Sequence, residues 1–526
     1  MSDATTIDKC NPRNGNVLYT VTNPSSDEIS AVMDRAQAAH IKVSAMTVQQ
    51  RAAEAMKLKK YIVENKHKIA QIIVEENGKS LLDAMVGDIF STLDLIDFYA
   101  GKNGKNSVKI LADQKVHTPL LMMGKKSKIY YNAIGPVLVI SPWNYPLNTA
   151  LTPAICAFMA GNSVIIKPSE WTPLLGVLEP MLKESGFIQD GIQVVAGDRE
   201  TGKALVESKP AKIFFTGSVR GGKAIMEHAS HHLIPVELEL GGKDPMVVFG
   251  DANLERATNG AVWGALNNTG QGCTSVERCF VEESLYEPFV AKLKEKFAKL
   301  SSSDRWGDKP DEGNMDLGAI TTPFQLETIR AQVEGAKAQG ADVWTAYEPI
   351  ADAPNYPPTI ITNVTDDMDI QREETFGPTI TIMPFKGEEE AVCLANDTIY
   401  GLSSSVWSSD LEKADRVARR IEAGNVCIND VMVTEGNAAL PFGGVKQSGI
   451  GRYKSTVGLH NFCNIKSIMV DGGKKPTEGH WYPYSHEKYN LLAKVIDDLA
   501  VGGLGGLIRL LGTGSKLDGH IKKNTL

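Results

Sequence analysis

From Ile134 to Phe249, short unbroken apolar runs alternate with amphipathic stretches. The runs are GPVLVI, SVIIKPS, IQVVAG and KIFFTGS, and between them lie TALTPAICAFMAG, PLLGVLEPMLKESG and ETGKALVES. A strand without polar alternation is covered on both faces, so helices spaced between such strands predict a parallel sheet with helices on each side. A second series starts at DPMVVF, passes through the helical ANLERATNGAVWGALN, the loop around Cys273 and the strand ERCFVE, and ends near PFGGVKQSG. The two series meet close to Gly241 and Gly242. Ahead of both, Ser25 and Glu28 form a capping-box pair, followed by Ile29, Val32, Met33 and Ala36 at helical spacing. A further helical stretch runs from about Val48 to Phe98, then the polar KNGKNSVKI and a run of strand character near Lys128 to Tyr131. The pattern predicts an α/β chain of two doubly wound open-sheet domains.

The one compositional shift comes last, in YNLLAKVIDDLAVGGLGGLIRLLGTG. Leu491, Leu492, Val495, Ile496 and Leu499 make an apolar face opposite Lys494, Asp497 and Asp498. A bilayer span takes roughly 20 apolar residues, and the acidic pair and Arg509 leave a shorter uncharged run. The tail is expected to pack on its own subunit or a neighbour; lying on a membrane surface is the second reading.

Composition narrows the partners. The chain has 526 residues, 42% hydrophobic and 22% charged, with a net charge of −8 that argues against binding nucleic acid. Small molecules are the expected ligands. Seven cysteines, at 10, 156, 273, 279, 393, 427 and 463, form no CxxC pair and no short-spaced Cys/His cluster, so neither a disulfide framework nor a metal site is expected. The scattered thiols and the polar start MSDATTIDKCNPRN point to the cytosol.

In open parallel sheets ligands bind beyond the carboxyl ends of the strands. PWNYP, KPSE and FTGS each follow an apolar run, which places them on one rim. Cys273 follows Gly270 and Gly272 among polar neighbours, where close backbone amides and a nearby helix end would favour a thiolate nucleophile. Glu239 ends the run VELEL before two glycines. Alternation puts Glu237 on the same face, so the pair is either a solvated strand face or, for Glu239, a carboxylate overhanging the cleft with its pKa raised to take a proton from water. Asn144, between Pro142 and Pro146, sits in a restricted loop that could aim its amide at an oxyanion. Lys167 and Glu170 come straight off a buried strand; a carboxylate there accepts hydrogen bonds from ribose hydroxyls and repels an extra phosphate, favouring NAD over NADP. Gly217, Ser218 and Gly222 stand at a strand-to-helix junction where amides can meet a pyrophosphate, although there is no GxGxxG.

PWNYP, KPSE, FTGSVRGG, LELGGKDP, GQGC, EETFGP and PFGGVKQSGIGR occur in that order, and over residues 15 to 475 the chain closely resembles the aldehyde dehydrogenase superfamily. The resemblance implies an NAD-dependent oxidation of an aldehyde to a carboxylic acid, with Cys273, Glu239 and Asn144 catalytic. It adds Glu374 and Phe376 beside the nicotinamide ribose, Ser218 and Lys167 on the adenosine side, and Ser141, Pro142, Trp143 and Leu240 to the cofactor set. It also implies an atypical Rossmann-like NAD-binding domain from 1–114 and 134–242, a catalytic domain at 243–445, a small β oligomerisation element at 115–133 and 446–475 building a homodimer or homotetramer, and a C-terminal extension at 476–526. Tyr453 stands where many members carry a glutamate. The tail resembles branches that act on hydrophobic aldehydes, whereas Thr149, Thr152, Asn267 and Thr274 suggest a polar substrate tunnel; the aldehyde stays open. A CoA-acylating semialdehyde dehydrogenase is the alternative, against which Glu239 counts, and a non-catalytic relative is a distant third.

Overall fold

The computed structural model describes residues 6–122, 124–300 and 313–524. The first five residues of the expected NAD-binding domain, Met123 in the oligomerisation element, 301–312 in the catalytic domain and the last two residues of the extension lie outside the described residues. Two compact units emerge, one from 1–112 with 130–466 and the other from 113–129 with 467–526.

The larger unit opens on an antiparallel hairpin, β1 (Thr6–Cys10) and β2 (Val17–Thr22), which the apolar pattern did not reveal. The helix Ser26–Ala45 follows, with both halves of the Ser25–Glu28 capping box formed. The helix Val48–Asn77 is capped in the same way by Thr47 and Gln50, and ends at Gly78, whose φ of 90° is left-handed.

Of the next strands, β3 (Gln114–Val116) and β4 (Lys126–Ala133) pair antiparallel. Then β5 (Val137–Ile140), β6 (Val164–Lys167), β7 (Ile192–Val194), β8 (Lys212–Thr216) and β9 (Val236–Glu239) form a parallel sheet, as the unbroken apolar runs predict. The second sheet holds β10 (Asp244–Val248), β11 (Val276–Glu282), β12 (Asp342–Thr345), β13 (Thr359–Thr362), β14 (Thr379–Phe385), β15 (Ser403–Trp407) and β16 (Asn425–Ile428). Its order is β12-β13-β14-β11-β10-β15-β16, parallel except for β12 at one edge. β17 (Gly449–Ile450) pairs antiparallel with β9, so the start of the segment 446–475, expected in the oligomerisation element, instead closes an edge of the first sheet. β18 (Cys463–Val470) joins β4 and β3 in a three-stranded sheet of order β18-β4-β3.

The smaller unit ends in two helices, His486–Val501 and Gly503–Lys523, packed together through Val495, Leu510, Leu517 and Ile521. No helix among the described residues is long and apolar enough to cross a membrane.

A buried ion pair holds the loop after β5. Lys79 Nζ lies 2.8 Å from Asp88 Oδ2, and both side chains are wholly inaccessible to solvent. The same ammonium donates to the Asn144 carbonyl at 2.7 Å, while Asp88 Oδ1 accepts from the backbone N–H groups of Leu147 and Asn148 at 3.0 and 3.2 Å. The pair therefore spends its remaining hydrogen-bonding capacity on one loop. Lys79→Met leaves the Asp88 carboxylate buried without its cation and is expected to cost about 3–5 kcal/mol, read as a lowered denaturation midpoint; an unchanged midpoint would contradict this account.

Candidate active site

In the first sheet β8, β5 and β6 are neighbours, so the loops after Thr216, Ile140 and Lys167 stand side by side at the carboxyl edge. They rim a cavity of about 620 Å³. Cys273, Glu239 and Asn144 all line it, as do Ser141, Pro142 and Trp143 from the first loop and Lys167 and Glu170 from the second. Gly217, Ser218, Leu240, Glu374 and Phe376 complete the wall. Gly222 does not line it; a Cβ there would meet Leu240 at 2.7 Å, so the residue lets the helix Val219–Ser230 close on Leu240.

The Cys273 loop is stapled through its backbone. Asn268, Thr269 and Gly270 have φ of 51°, 57° and 73°, a left-handed run that needs external support. Asn268 Nδ2 donates to the carbonyls of Asn144 and Gln271 at 3.0 and 3.1 Å, Thr269 Oγ1 accepts from Gly318 N at 2.9 Å, and Gln271 Oε1 accepts from Thr321 N at 2.9 Å. Asn144 Nδ2 donates to Gln271 O at 3.0 Å, which joins the amide expected at an oxyanion to the chain two residues before the thiol. One of its two hydrogens remains for a ligand.

Two glycines join strand end to loop. A Cβ on Gly242 would lie 2.3 Å from Cys273 O, and one on Gly241 would lie 2.4 Å from Glu374 Oε2, so only a side-chain-free GG admits both approaches. Gly242 N donates to Glu374 Oε1 at 3.0 Å. Phe376, at φ 52°, is held because Glu277 accepts from the N–H groups of Thr375 and Phe376, each at 2.8 Å, and its ring meets Trp143 edge-on at 5.3 Å.

The electrostatics correct one expectation. Burial, followed by the acidic side chains of Glu435, Glu374, Asp244 and Glu239, pushes the Cys273 thiol well above the ordinary range, against the direction expected of an activated thiolate. Glu239 is 4% exposed, and neither of its oxygens takes a hydrogen bond from a described residue. Burial, then the neighbouring Glu237, pushes its carboxyl well above the usual range, in the direction expected of a water-activating base. The solvated-face reading of the pair does not hold: Glu237 is 1% exposed and meets Lys212 Nζ at 2.8 Å.

The cleft also fits a dinucleotide. Ser141 Oγ is buried without a partner, Lys167 is 4% exposed with only Glu170 at 3.3 Å, and Ser218 caps the helix Val219–Ser230, turning Gly217 and Gly221 toward the cavity. Burial raises the Glu374 carboxyl to about 8.

Residues 1–468 match the model of the aldehyde dehydrogenase family. The chain belongs to that family. It is 38% identical over 498 residues to a 4,4'-diapolycopene aldehyde oxidase of Methylomonas sp, covering 94% of this chain and 91% of the relative. An NAD+ complex of aldehyde dehydrogenase from Bacillus cereus aligns with a TM-score of 0.83 at 32% identity, covering 89% of this chain and 94% of that one. An NADP dependent enzyme of E. coli aligns with the same TM-score at 29% identity, covering 89% and 95%.

As an aldehyde dehydrogenase, this chain carries site residues that motif reading missed. Glu435 lines the cavity and accepts from Thr274 Oγ1 at 2.8 Å, and Lys454 donates to its carbonyl at 2.5 Å from between the rings of Phe442 and Tyr453. No short motif marks Glu435, and Glu277 reads only as an ordinary strand charge. Of the four positions that suggested a polar tunnel, only Thr149 reaches the cavity, and all four spend polar groups on the protein: Thr149 on Tyr145 O, Thr152 on Asn148, Asn267 on Tyr145 and Asp83, and Thr274 on Glu435. Removing the Glu435 charge lowers the Cys273 pKa, so Glu435→Gln should speed iodoacetamide alkylation of Cys273 at pH 8 by about 2- to 10-fold. In the unsubstituted protein the rate should still be climbing above pH 9; a plateau near neutrality would show an ionised thiol.

Proposed function

We propose that the protein oxidises an aldehyde to a carboxylic acid with NAD, through a covalent intermediate on Cys273. The observation that supports this most is the meeting of a half-buried thiol, a buried carboxyl without a partner among the described residues and a braced amide on one cavity with a dinucleotide-fitting wall. Cys273 Sγ releases its proton to solvent and bonds to the aldehyde carbon, whose carbonyl π pair moves onto oxygen. The second Asn144 amide hydrogen and the Cys273 N–H then hold the oxyanion of the thiohemiacetal. NAD, held by the wall that includes Ser218, Lys167, Glu374 and Phe376, would supply the hydride acceptor, and loss of hydride from this carbon leaves a thioester on Cys273. Glu239, once ionised, takes a proton from water as that water attacks the thioester, releasing the acid and restoring the sulfur.

NAD is preferred to NADP because Glu170, beside Lys167, would repel a ribose phosphate; relatives of both kinds are known from the NAD+ complex and the NADP dependent enzyme. The substrate we favour is an extended apolar aldehyde. The oxidase of 4,4'-diapolycopene aldehyde supports this by its name, and the cavity wall near Cys273 carries Trp143, Tyr145, Phe442 and Tyr453. The three-stranded sheet β18-β4-β3 is the surface proposed to join subunits, and the seven free thiols suit a reducing cytosol.

Cys273→Ala should abolish NADH formation, whereas Glu239→Gln should give one burst of NADH followed by hydrolysis slowed at least about 100-fold, the scale of a lost general base. Full steady-state turnover in either variant would remove the assignment. Across an aldehyde series, kcat/KM should rise with apolar length by up to about tenfold for every two buried CH2 groups until the pocket is filled; a preference for short or charged aldehydes would overturn the substrate class. Acyl-CoA formed on adding CoA would favour the acylating alternative.

A further inference from the structure

The two C-terminal helices leave more apolar surface uncovered than their own packing requires. On Gly503–Lys523 the buried positions are Gly506, Leu510, Thr513, Leu517 and Ile521, and a second stripe of Leu504, Leu507, Ile508 and Leu511 is left out at 80%, 40%, 69% and 52% exposure. That i, i+3, i+4, i+7 spacing is itself a helix face. The helix His486–Val501 repeats the arrangement: Lys488, Val495 and Asp498 are buried, while Tyr489 and Ile496, seven residues apart, are 70% and 65% exposed. Just before it, Trp481, Tyr482 and Tyr484 are each more than half exposed. Single exposed apolar residues are ordinary, but a continuous stripe with aromatic residues beside it marks a contact surface.

Charge decides what covers it. In this tail Asp471 and Glu478 pair with Lys125, Asp518 with Lys475 and Lys522, Glu487 with His520, and Asp498 accepts from Thr513. Lys474, Lys494, Arg509, Lys516 and Lys523 have no carboxylate partner among the described residues, against Asp497 and Asp498 as the acids there without a cation. An excess of free cations on the same helices disfavours a second copy of this tail as the partner, which would bring like charges together. It suits a surface that is anionic outside and apolar beneath. Arg509, Lys516 and Lys523 recur every seven residues, on the side of their helix away from the apolar stripe, where long side chains can reach toward headgroups. Exposed tryptophan and tyrosine are the residues that settle at headgroup depth.

We infer that the helices His486–Val501 and Gly503–Lys523 dock in the plane of an anionic phospholipid surface, with Leu504, Leu507, Ile508 and Leu511 entering the acyl boundary. This replaces the expectation that the tail is covered by protein, and it stands independently of which aldehyde is oxidised. Neither helix spans; the contact is interfacial and reversible.

The test is sedimentation of the full chain with vesicles of phosphatidylcholine containing about a third phosphatidylserine, against vesicles of phosphatidylcholine alone. The unsubstituted protein should pellet with the mixed vesicles about tenfold more strongly than with neutral ones, and lose that margin in high salt. Leu504→Ser with Ile508→Ser and Leu511→Ser should weaken binding to both vesicles by at least about tenfold, since each leucine or isoleucine removed forfeits burial of several CH2 groups. Lys494→Glu with Arg509→Glu and Lys516→Glu should instead abolish the preference for the mixed vesicles. Turnover of a short water-soluble aldehyde, unchanged in both variants, shows that the chain is folded. Equal pelleting of the unsubstituted protein and the serine variant would overturn the inference, as would self-association that the serine substitutions abolish without any vesicle binding.

Discussion

An ammonium and a carboxylate shut away from water, Lys79 and Asp88, are the constraint on which the candidate site rests. Each would be costly to bury alone, and together they are tolerated because the ammonium also donates to the Asn144 carbonyl and lies over the Tyr145 ring, while the carboxylate accepts from the Leu147 and Asn148 N–H groups. Asn144 in turn ties to Gln271 and Asn268, so the Cys273 loop is positioned from the Lys79–Asp88 pair. A strained left-handed run at 268–270 can persist only because these bonds determine its geometry from several sides.

A second buried pair repeats the arrangement on the other wall. Lys243 bonds to Glu277, and Glu277 then holds the Thr375–Phe376 backbone where Phe376 takes a positive φ. In both cases a charge hidden from solvent orders a loop of the cavity without lining the cavity itself. Burial and the acidic side chains around Cys273 act differently: they raise its thiol above the ordinary range and so make its ionisation sensitive to what enters the cavity.

The architecture was legible because parallel strands buried on both faces have no polar alternation, and β5, β6, β7, β8 and β10 all read so. The cavity-lining motifs were legible because each follows such a strand directly. The hairpin β1–β2 escaped notice, being only partly buried and rich in polar residues. Lys79, Asp88, Glu277 and Glu435 escaped for another reason: their roles come from partners 9 to 161 residues away, and no local pattern encodes those meetings. Glycines beside Cys273 suggested an activated thiolate, but the burial and the acidic neighbours that raise its thiol, Glu435, Glu374, Asp244 and Glu239, come from distant parts of the chain.

Gly241 and Gly242 make the two halves of the site a single mechanical piece. The first accommodates the Glu374 carboxylate and the second the Cys273 carbonyl, and Gly242 N is bonded to that same carboxylate. Backbone placement beside Glu374 and beside Cys273 therefore cannot be tuned separately by substitution along this dipeptide. Selection or design that would reshape the cavity has to leave these two positions without side chains and work from other residues of its wall.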